Sequence, residues 1–165
     1  MVTLITGGIK SGKTDFAIKL GLEYKKRAYL ATAEPFDDEM LKRINKHRED
    51  RGNLFFTIEE PINICNKLVS CSDCEVIIID CITTWLGNLF HYNKNINEYI
   101  EQFLTTITNL PFDIIVITNE VGFGIIPSDK LTREYVDILG KLNQKIAAVA
   151  DVCYLLVSGI PVKIK

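Results

Sequence analysis

The chain has 165 residues, of which 47% are hydrophobic and 24% charged, with a formal net charge of −2. This length and composition are typical of one soluble globular domain, so we expect a single domain over residues 1–165, and the near-neutral charge gives no electrostatic reason to expect nucleic acid as a partner. The N-terminal sequence MVTLITGG lacks a secretory signal, and no apolar run approaches the ~18 residues of a membrane span, so we expect a cytoplasmic protein.

Short β-branched runs alternate with longer helical patterns, which is typical of a parallel sheet flanked by helices. Strands are predicted at Val2–Thr6, Arg27–Ala31, Leu54–Ile58, Val76–Asp80, Ile114–Thr118 and Val152–Val157. Helices are predicted at Lys13–Tyr24, Asp37–Asp50, Pro61–Ser70, Thr84–Tyr92, Ile96–Asn109 and Leu131–Ala150. Asp37 fits an N-cap, and Pro61 fits a first helical turn. The tight turn at 158–161 predicts a hairpin, so a last strand, Val162–Ile164, should be antiparallel to its predecessor.

The first strand leads directly into GGIKSGKT, which matches the pattern G-x-x-x-x-G-K-[ST] and precedes a helix. Glycines let the backbone amides converge on phosphate oxygens beside the positive end of the helix, while Lys13 reaches the β- and γ-phosphates. A turn that only joins a strand to a helix is disfavoured, because both the pattern and its context are present. The motif predicts a nucleoside triphosphate site formed by Gly7, Gly8, Ile9, Lys10, Ser11, Gly12, Lys13 and Thr14.

A phosphate loop of this kind needs a second carboxylate near its metal ion, and the strand VIIID ends in Asp80. We therefore expect Thr14 and Asp80 to hold Mg²⁺, with helix capping as the alternative role of Asp80. Asn119 and Glu120 follow another strand at the same edge of the sheet. Glu120 either touches the substrate or a metal-bound water, or only ties down its loop. No N-K-x-D stretch is present, which disfavours a Ras-like GTPase and leaves the base preference open.

One predicted helix carries a cationic stripe around a histidine. Arg43, His47 and Arg51 are four residues apart and drift by only about 40° per step, so they share a helix face, with Arg48 beside them. Nearby positive charge keeps an imidazole neutral and nucleophilic, and arginines bind phosphate well. The group suits attack on an α-phosphate with loss of pyrophosphate. The alternative is an ordinary solvated helix face.

The remaining candidate residues are interpreted as structural. The five cysteines are an odd number without an export signal, which indicates reduced thiols. Cys71 and Cys74 have redox-type spacing, but two thiols cannot complete a zinc site, and chance occurrence is favoured. Thr83 and Thr84 either bind a polar substrate or cap a helix, with capping favoured. Trp85 is interpreted as a core or subunit-interface residue.

Several segments resemble, essentially end to end, the bifunctional adenosylcobinamide kinase/adenosylcobinamide-phosphate guanylyltransferase family. The segments that carry the resemblance are TGGIKSGKT, YLATAEPFDDEM, RINKHREDR, FFTIEEP, DCITTWLGNL, VITNEVGFGIIP, NQKIAAVAD and VSGIPVKIK. A phosphate loop alone is shared by many enzymes, whereas its combination with R-I-x-x-H-R-x-x-R and T-N-E-V-G-x-G-I-x-P is far more specific.

The resemblance implies two reactions. An ATP or GTP molecule phosphorylates adenosylcobinamide, and GMP is then transferred from GTP to adenosylcobinamide phosphate through a guanylylated histidine, here His47. The resemblance also implies a RecA-like three-layer fold and a homotrimer. The nucleotide contacts that it implies beyond the phosphate loop are Ala31, Thr32, Ala33, Arg48, Glu49, Asp50, Arg51, Glu59 and Asp80. The alternatives are a P-loop small-molecule kinase without nucleotidyl transfer and a non-catalytic module gated by a nucleoside triphosphate.

Overall fold

A computed structural model of the chain describes residues 1–42, 44–46, 48, 49 and 52–165. Among these residues, seven strands form one sheet in the order β3-β2-β4-β5-β1-β6-β7. The strands are β1 (Val2–Gly7), β2 (Arg27–Ala31), β3 (Phe56–Glu59), β4 (Val76–Asp80), β5 (Asp113–Ile117), β6 (Val152–Val157) and β7 (Ile160–Lys163). All neighbouring strands are parallel except β6 and β7. The predicted fold class, a mostly parallel sheet with a C-terminal antiparallel strand, is confirmed.

Helices connect the parallel strands. They are α1 (Lys13–Gly21), α2 (Asp38–Arg51), α3 (Ile64–Ser70), α4 (Ile82–His91), α5 (Ile96–Thr108) and α6 (Lys130–Val149). The predicted N-cap of α2 is confirmed, because the Asp37 side chain accepts a hydrogen bond from the Met40 amide at 2.7 Å. His91 ends α4, as its position in the sequence indicates.

The two faces of the sheet pack against different helices, which explains why the central strands are apolar almost throughout. On one face, β-strand residues such as Ile77 and Val116 join a core that includes residues of α3, α4, α5 and α6. Trp85 is fully buried in this core, and its ring lies 5.3 Å from that of Phe103. On the other face, Ile78 and its neighbours pack with α1.

Two predicted helix starts are wrong. The third helix begins at Ile64 rather than Pro61, because the Glu60 carboxylate accepts hydrogen bonds from the Ile62 and Asn63 amides and holds a separate turn there. The fourth helix begins at Ile82, with Cys81 rather than a threonine at its N-cap. Helix capping is therefore not the role of Thr83.

The C-terminal hairpin is tighter than predicted. Its turn consists of Ser158 and Gly159, with φ angles of 51° and 84°, so β7 begins at Ile160 instead of Val162. Two-residue hairpin turns favour glycine because they require positive φ. Pro161 is tolerated because β7 is an edge strand.

A carboxylate joins the starts of β2 and β4. Glu75 Oε2 accepts hydrogen bonds from the backbone amides of Lys25 at 2.8 Å and Lys26 at 3.1 Å. These bonds, chiefly that from Lys26, hold the pKa of Glu75 below its ordinary value. The carboxylate therefore stabilises the fold above the pKa it has in the unfolded chain, and this contribution is lost as the pH falls through the lower pKa of the folded state.

We predict that Glu75→Gln lowers the melting temperature at pH 7 and that this effect shrinks toward pH 3, because wild-type Glu75 also becomes protonated as the pH falls through its lowered pKa. The measurement is thermal unfolding followed by circular dichroism across this range. Glu101→Gln is the control, because Glu101 forms an exposed ion pair with Lys145, and such pairs contribute little to stability. An equal loss of stability by Glu75→Gln at both pH values would contradict the prediction.

Candidate nucleotide site

The loop between β1 and α1 has an unusual backbone. Gly7, Lys10 and Gly12 have φ angles of 152°, 56° and 90°. A Cβ atom at Gly7 would lie 2.6 Å from the Leu156 carbonyl oxygen and 2.8 Å from Ser11 Oγ, so a side chain at this position would clash. Alternation of left-handed and ordinary backbone conformations turns successive amides toward one side, which forms an anion-binding concavity.

Polar groups converge on this loop. The Lys13 side chain is buried, and its Nζ donates hydrogen bonds to the carbonyl oxygens of Gly8 at 2.6 Å and Gly7 at 3.1 Å. Ser11 Oγ is buried without a hydrogen-bond partner among the described residues. Gly12, the N-cap of α1, provides no side-chain cap, so the positive end of the helix opens onto the loop. The arrangement fits a polyphosphate.

A pair of oxygen ligands lies beside the loop. Thr14 Oγ1 donates a hydrogen bond to Asp80 Oδ2 at 3.0 Å, across the ends of β1 and β4, and Tyr29 Oη donates to the same carboxylate oxygen. Adjacent ligands of an octahedral Mg²⁺ ion lie roughly 3 Å apart, so these two oxygens fit one hard divalent cation. No group of three or more His, Cys, Asp or Glu residues suited to a metal occurs in the described part of the chain. Phosphate oxygens and water would supply further ligands to such a cation.

Thr32, directly after β2, holds the backbone around Asp80. Its hydroxyl donates to the Cys81 carbonyl at 2.9 Å and accepts from the Cys81 amide at 2.8 Å, and its own amide donates to the Asp80 carbonyl at 3.0 Å. The Thr32 carbonyl accepts from Asn88 Nδ2 at 2.8 Å. Thr32 is fully buried, so its hydroxyl acts inside the protein. Burial and a negative neighbour, Asp80, raise the pKa of the Cys81 thiol, which keeps it protonated.

The C-terminal hairpin also contacts the phosphate loop. The Gly159 amide donates to the Ser11 carbonyl at 2.9 Å. A Cβ atom at Gly12 would lie 3.1 Å from Gly159 Cα, so the two glycines permit close approach of the two backbones. The hairpin turn therefore fixes the far side of the loop. The sequence predicts a turn at these residues but does not predict that the turn contacts the phosphate loop.

The loop after β5 begins beside the phosphate loop. The Glu120 amide donates to the Gly7 carbonyl at 3.0 Å, and Glu120 Oε1 accepts from the Gly122 amide at 3.3 Å. Thr83 Oγ1 accepts from the Asn119 amide at 2.7 Å. These contacts support the interpretation that Glu120 ties down its loop and assign Thr83 a structural role.

Two of the predicted nucleotide contacts outside the phosphate loop meet in space. Arg48, on α2, forms an ion pair with Glu59, at the end of β3, and both side chains are about half exposed. The predictions for Arg43, His47, Asp50 and Arg51 fall outside the described residues. Ala31 and Ala33 are half-buried and Glu49 is exposed, and nucleotide contacts of these residues stay predictions.

Other expectations can be compared directly with the described residues. All five cysteines are free in the structure, Cys71 and Cys74 among them, and the reduced state of these thiols stays a prediction. Within the described ranges, no helix is both long and apolar enough to span a bilayer.

We predict that Thr32→Val destabilises the protein by about 1–3 kcal/mol, because the substitution removes a buried hydroxyl that both accepts from the Cys81 amide and donates to the Cys81 carbonyl. Urea unfolding measures this change. Thr32→Ser is the matched control, because it keeps the hydroxyl and should retain most of the stability. A valine variant as stable as the serine variant would show that the hydroxyl does not hold this segment.

The fold is shared with solved structures of distant sequence. The flagellar accessory protein FlaH from Methanocaldococcus jannaschii superposes with a TM-score of 0.55 at 16% identity, covering 99% of this chain and 77% of that one. The KaiC-like protein PH0186 from Pyrococcus horikoshii gives a TM-score of 0.53 at 17% identity, covering 93% and 71%. Such distant likeness shows the fold alone, and it confirms the predicted RecA-like P-loop architecture.

Sequence comparison identifies much nearer relatives. The bifunctional adenosylcobalamin biosynthesis protein CobU of Escherichia coli is 35% identical, with both chains covered in full. The corresponding protein CobP of Pseudomonas aeruginosa is 36% identical, covering 100% of this chain and 98% of its own. The family model "Cobinamide kinase / cobinamide phosphate guanyltransferase" matches residues 3–164. The chain therefore belongs to the cobinamide kinase/cobinamide phosphate guanyltransferase family.

Proposed function

We propose that this chain phosphorylates adenosylcobinamide with a nucleoside triphosphate and then transfers GMP from GTP to the resulting phosphate. The products of the second reaction are adenosyl-GDP-cobinamide and pyrophosphate. The observation that carries the proposal is the convergence of Lys13 and the Thr14–Asp80 pair on a loop shaped for polyphosphate. Family membership supplies the acceptor, because the curated relatives act in adenosylcobalamin biosynthesis.

The kinase reaction depends on positioning and charge. The acceptor hydroxyl oxygen forms a bond to the γ-phosphorus, the bond from that phosphorus to the bridging oxygen breaks, and the hydroxyl proton is released. The amides of residues 7–12 and the Lys13 ammonium stabilise negative charge on the phosphates. Mg²⁺, held by Thr14 and Asp80, would neutralise further charge on the β- and γ-phosphates when bound.

The guanylyl transfer is assigned to His47. Its neutral imidazole forms a bond to the α-phosphorus of GTP, and pyrophosphate leaves with the electrons of the broken bond. A phosphate oxygen of the acceptor then attacks the same phosphorus and restores the imidazole. Arg48 and Arg51 stabilise phosphate charge during both steps. His47 lies outside the described residues, so its assignment is supported by the sequence. The support is the four-residue spacing of Arg43, His47 and Arg51, together with family membership.

The proposal includes two properties of the whole molecule. We propose a homotrimer, on the basis of the resemblance of the sequence to the family, and a cytoplasmic enzyme that uses ATP or GTP. The absence of a spanning helix from the described residues and the biosynthetic role of the relatives are consistent with this location.

We predict that Lys13→Ala lowers the rate of phosphoryl transfer from γ-labelled GTP to adenosylcobinamide by about 100-fold or more, because a buried charge at the phosphates is lost. Lys19→Ala is the control, since Lys19 is an exposed lysine at the end of the same helix. Unfolding curves of both variants establish that they are folded. A folded Lys13→Ala enzyme with normal turnover would contradict the role of Lys13.

We predict that the protein incubated with α-labelled GTP acquires a label that is labile in acid and stable in base, as a phosphoramidate should be. The label should be absent from His47→Ala and retained in His91→Ala. His91 is the matched control because it is the other histidine and lies at the end of α4, where its ring packs against Phe36.

The labelling experiment separates the proposal from its alternatives. Phosphorylation of adenosylcobinamide without any protein label would indicate a P-loop small-molecule kinase alone. Nucleotide binding with neither product would indicate a non-catalytic module.

A further inference from the structure

The segment 121–126 exposes large apolar side chains beside the phosphate loop. Phe123, Ile125 and Ile126 are 82%, 97% and 80% exposed, respectively. Single exposed apolar residues are common on protein surfaces, but three within four positions mark a surface that contacts another molecule. We call these three side chains the apolar rim.

Both ends of this segment are fixed. At its start, β5 pairs with β1 through Ile117 and Ile5, and the Glu120 amide binds the Gly7 carbonyl at 3.0 Å. Beyond its end, Arg133 Nη1 donates to the Pro127 and Ser128 carbonyls at 3.0 and 2.5 Å. The rim is therefore anchored next to the loop that would hold the reacting phosphates. The rim begins three residues after Glu120, whose amide contacts the phosphate loop, so a large molecule on the rim can also extend to the nucleotide site.

The chemistry of the rim matches the acceptor of the proposed reactions. Cobinamide is a corrin macrocycle with broad apolar faces, methyl groups and uncharged amide side chains, and its reacting hydroxyl lies at the end of one flexible arm. The macrocycle is too large to enter a phosphate loop and must rest on the surface beside it. Residues 121–128, VGFGIIPS, carry no charge, which suits the methyl groups and the uncharged amide side chains around the macrocycle. A Cβ atom at Gly124 would meet nothing within 4 Å, so the backbone there is open to such a ligand.

We infer that the apolar rim, Phe123, Ile125 and Ile126, binds the corrin macrocycle while its arm reaches toward the phosphate loop. This inference rests on the proposed function, because it takes the acceptor from that proposal. The same macrocycle is present in the kinase and guanylyl-transfer reactions, so the rim serves both. The rim takes no part in the attack of His47 on GTP, because that step occurs before the acceptor reacts.

The test is the double variant Phe123→Ser/Ile125→Ser. Loss of two apolar contacts should raise the KM for adenosylcobinamide and for its phosphate by about tenfold to a hundredfold, because full burial of one such side chain contributes roughly tenfold to binding. The kcat at saturating acceptor and the labelling of the protein by GTP should stay within about twofold of wild type. Phe56→Ser/Val69→Ser is the matched control, since Phe56 and Val69 are 70% and 66% exposed and neither belongs to the segment. The control should leave every one of these quantities unchanged.

Direct titration keeps the inference testable if turnover is absent. Adenosylcobinamide added to the protein without nucleotide should bind wild type and the control with equal affinity and the rim variant at least about tenfold more weakly. Equal binding by all three, or no binding by wild type, would overturn the inference. A rim variant that loses its oligomeric state in light scattering while keeping the same KM would show that a second copy of the chain covers the rim, and would also overturn it.

Discussion

The phosphate loop keeps its shape through contacts that leave no room for side chains at two of its positions. Gly7 packs against the Leu156 carbonyl of β6, and Gly12 packs against the Gly159 backbone of the hairpin turn. Both glycines have positive φ angles, which point the loop amides toward one concavity. The charge of Lys13 and the start of α1 act on a bound phosphate only if this backbone is fixed. Strand β6 and its hairpin are therefore part of the nucleotide site, although neither contains a residue of the motif.

The second requirement is that the ends of separate strands stay in register. Thr14 follows β1 and Asp80 ends β4, and β5 lies between these strands in the sheet. Their 3.0 Å contact depends on the parallel register of β1, β5 and β4, and on Thr32, which holds the Asp80–Cys81 backbone from β2. The buried strands of the sheet thus hold the polar atoms of Thr14 and Asp80 in place. A parallel sheet suits this role because all its carboxyl ends meet at one edge.

The sequence predicts the strands best where burial on both faces produces a continuous apolar run, and β2 and β4, whose central residues are buried, begin and end as predicted. The sequence predicts Thr14 and Asp80 as candidate metal ligands because both are marked by local signals. Thr14 belongs to the phosphate-loop motif, and Asp80 lies at the end of a strand. The sequence does not predict Thr32 as a support, since its partner Cys81 is 49 residues away and no short pattern links them. The error at Pro61 has a different cause: a proline suits a first helical turn, but the Glu60 carboxylate accepts hydrogen bonds from the Ile62 and Asn63 amides. A contact between distant segments therefore decided the role of Thr32, whereas a local side-chain hydrogen bond decided the start of α3.

The central claim is that residues 7–14 bind the phosphates of a nucleotide, and calorimetry tests it most directly. Magnesium with GTP or ATP should give saturable heats, and affinity should fall from GTP to GDP to GMP, with guanosine binding weakest, because each lost phosphate removes contacts with the loop amides and Lys13. Guanosine binding as tightly as GTP would place recognition elsewhere in the molecule. No binding of either triphosphate by well-folded protein would contradict the account as a whole.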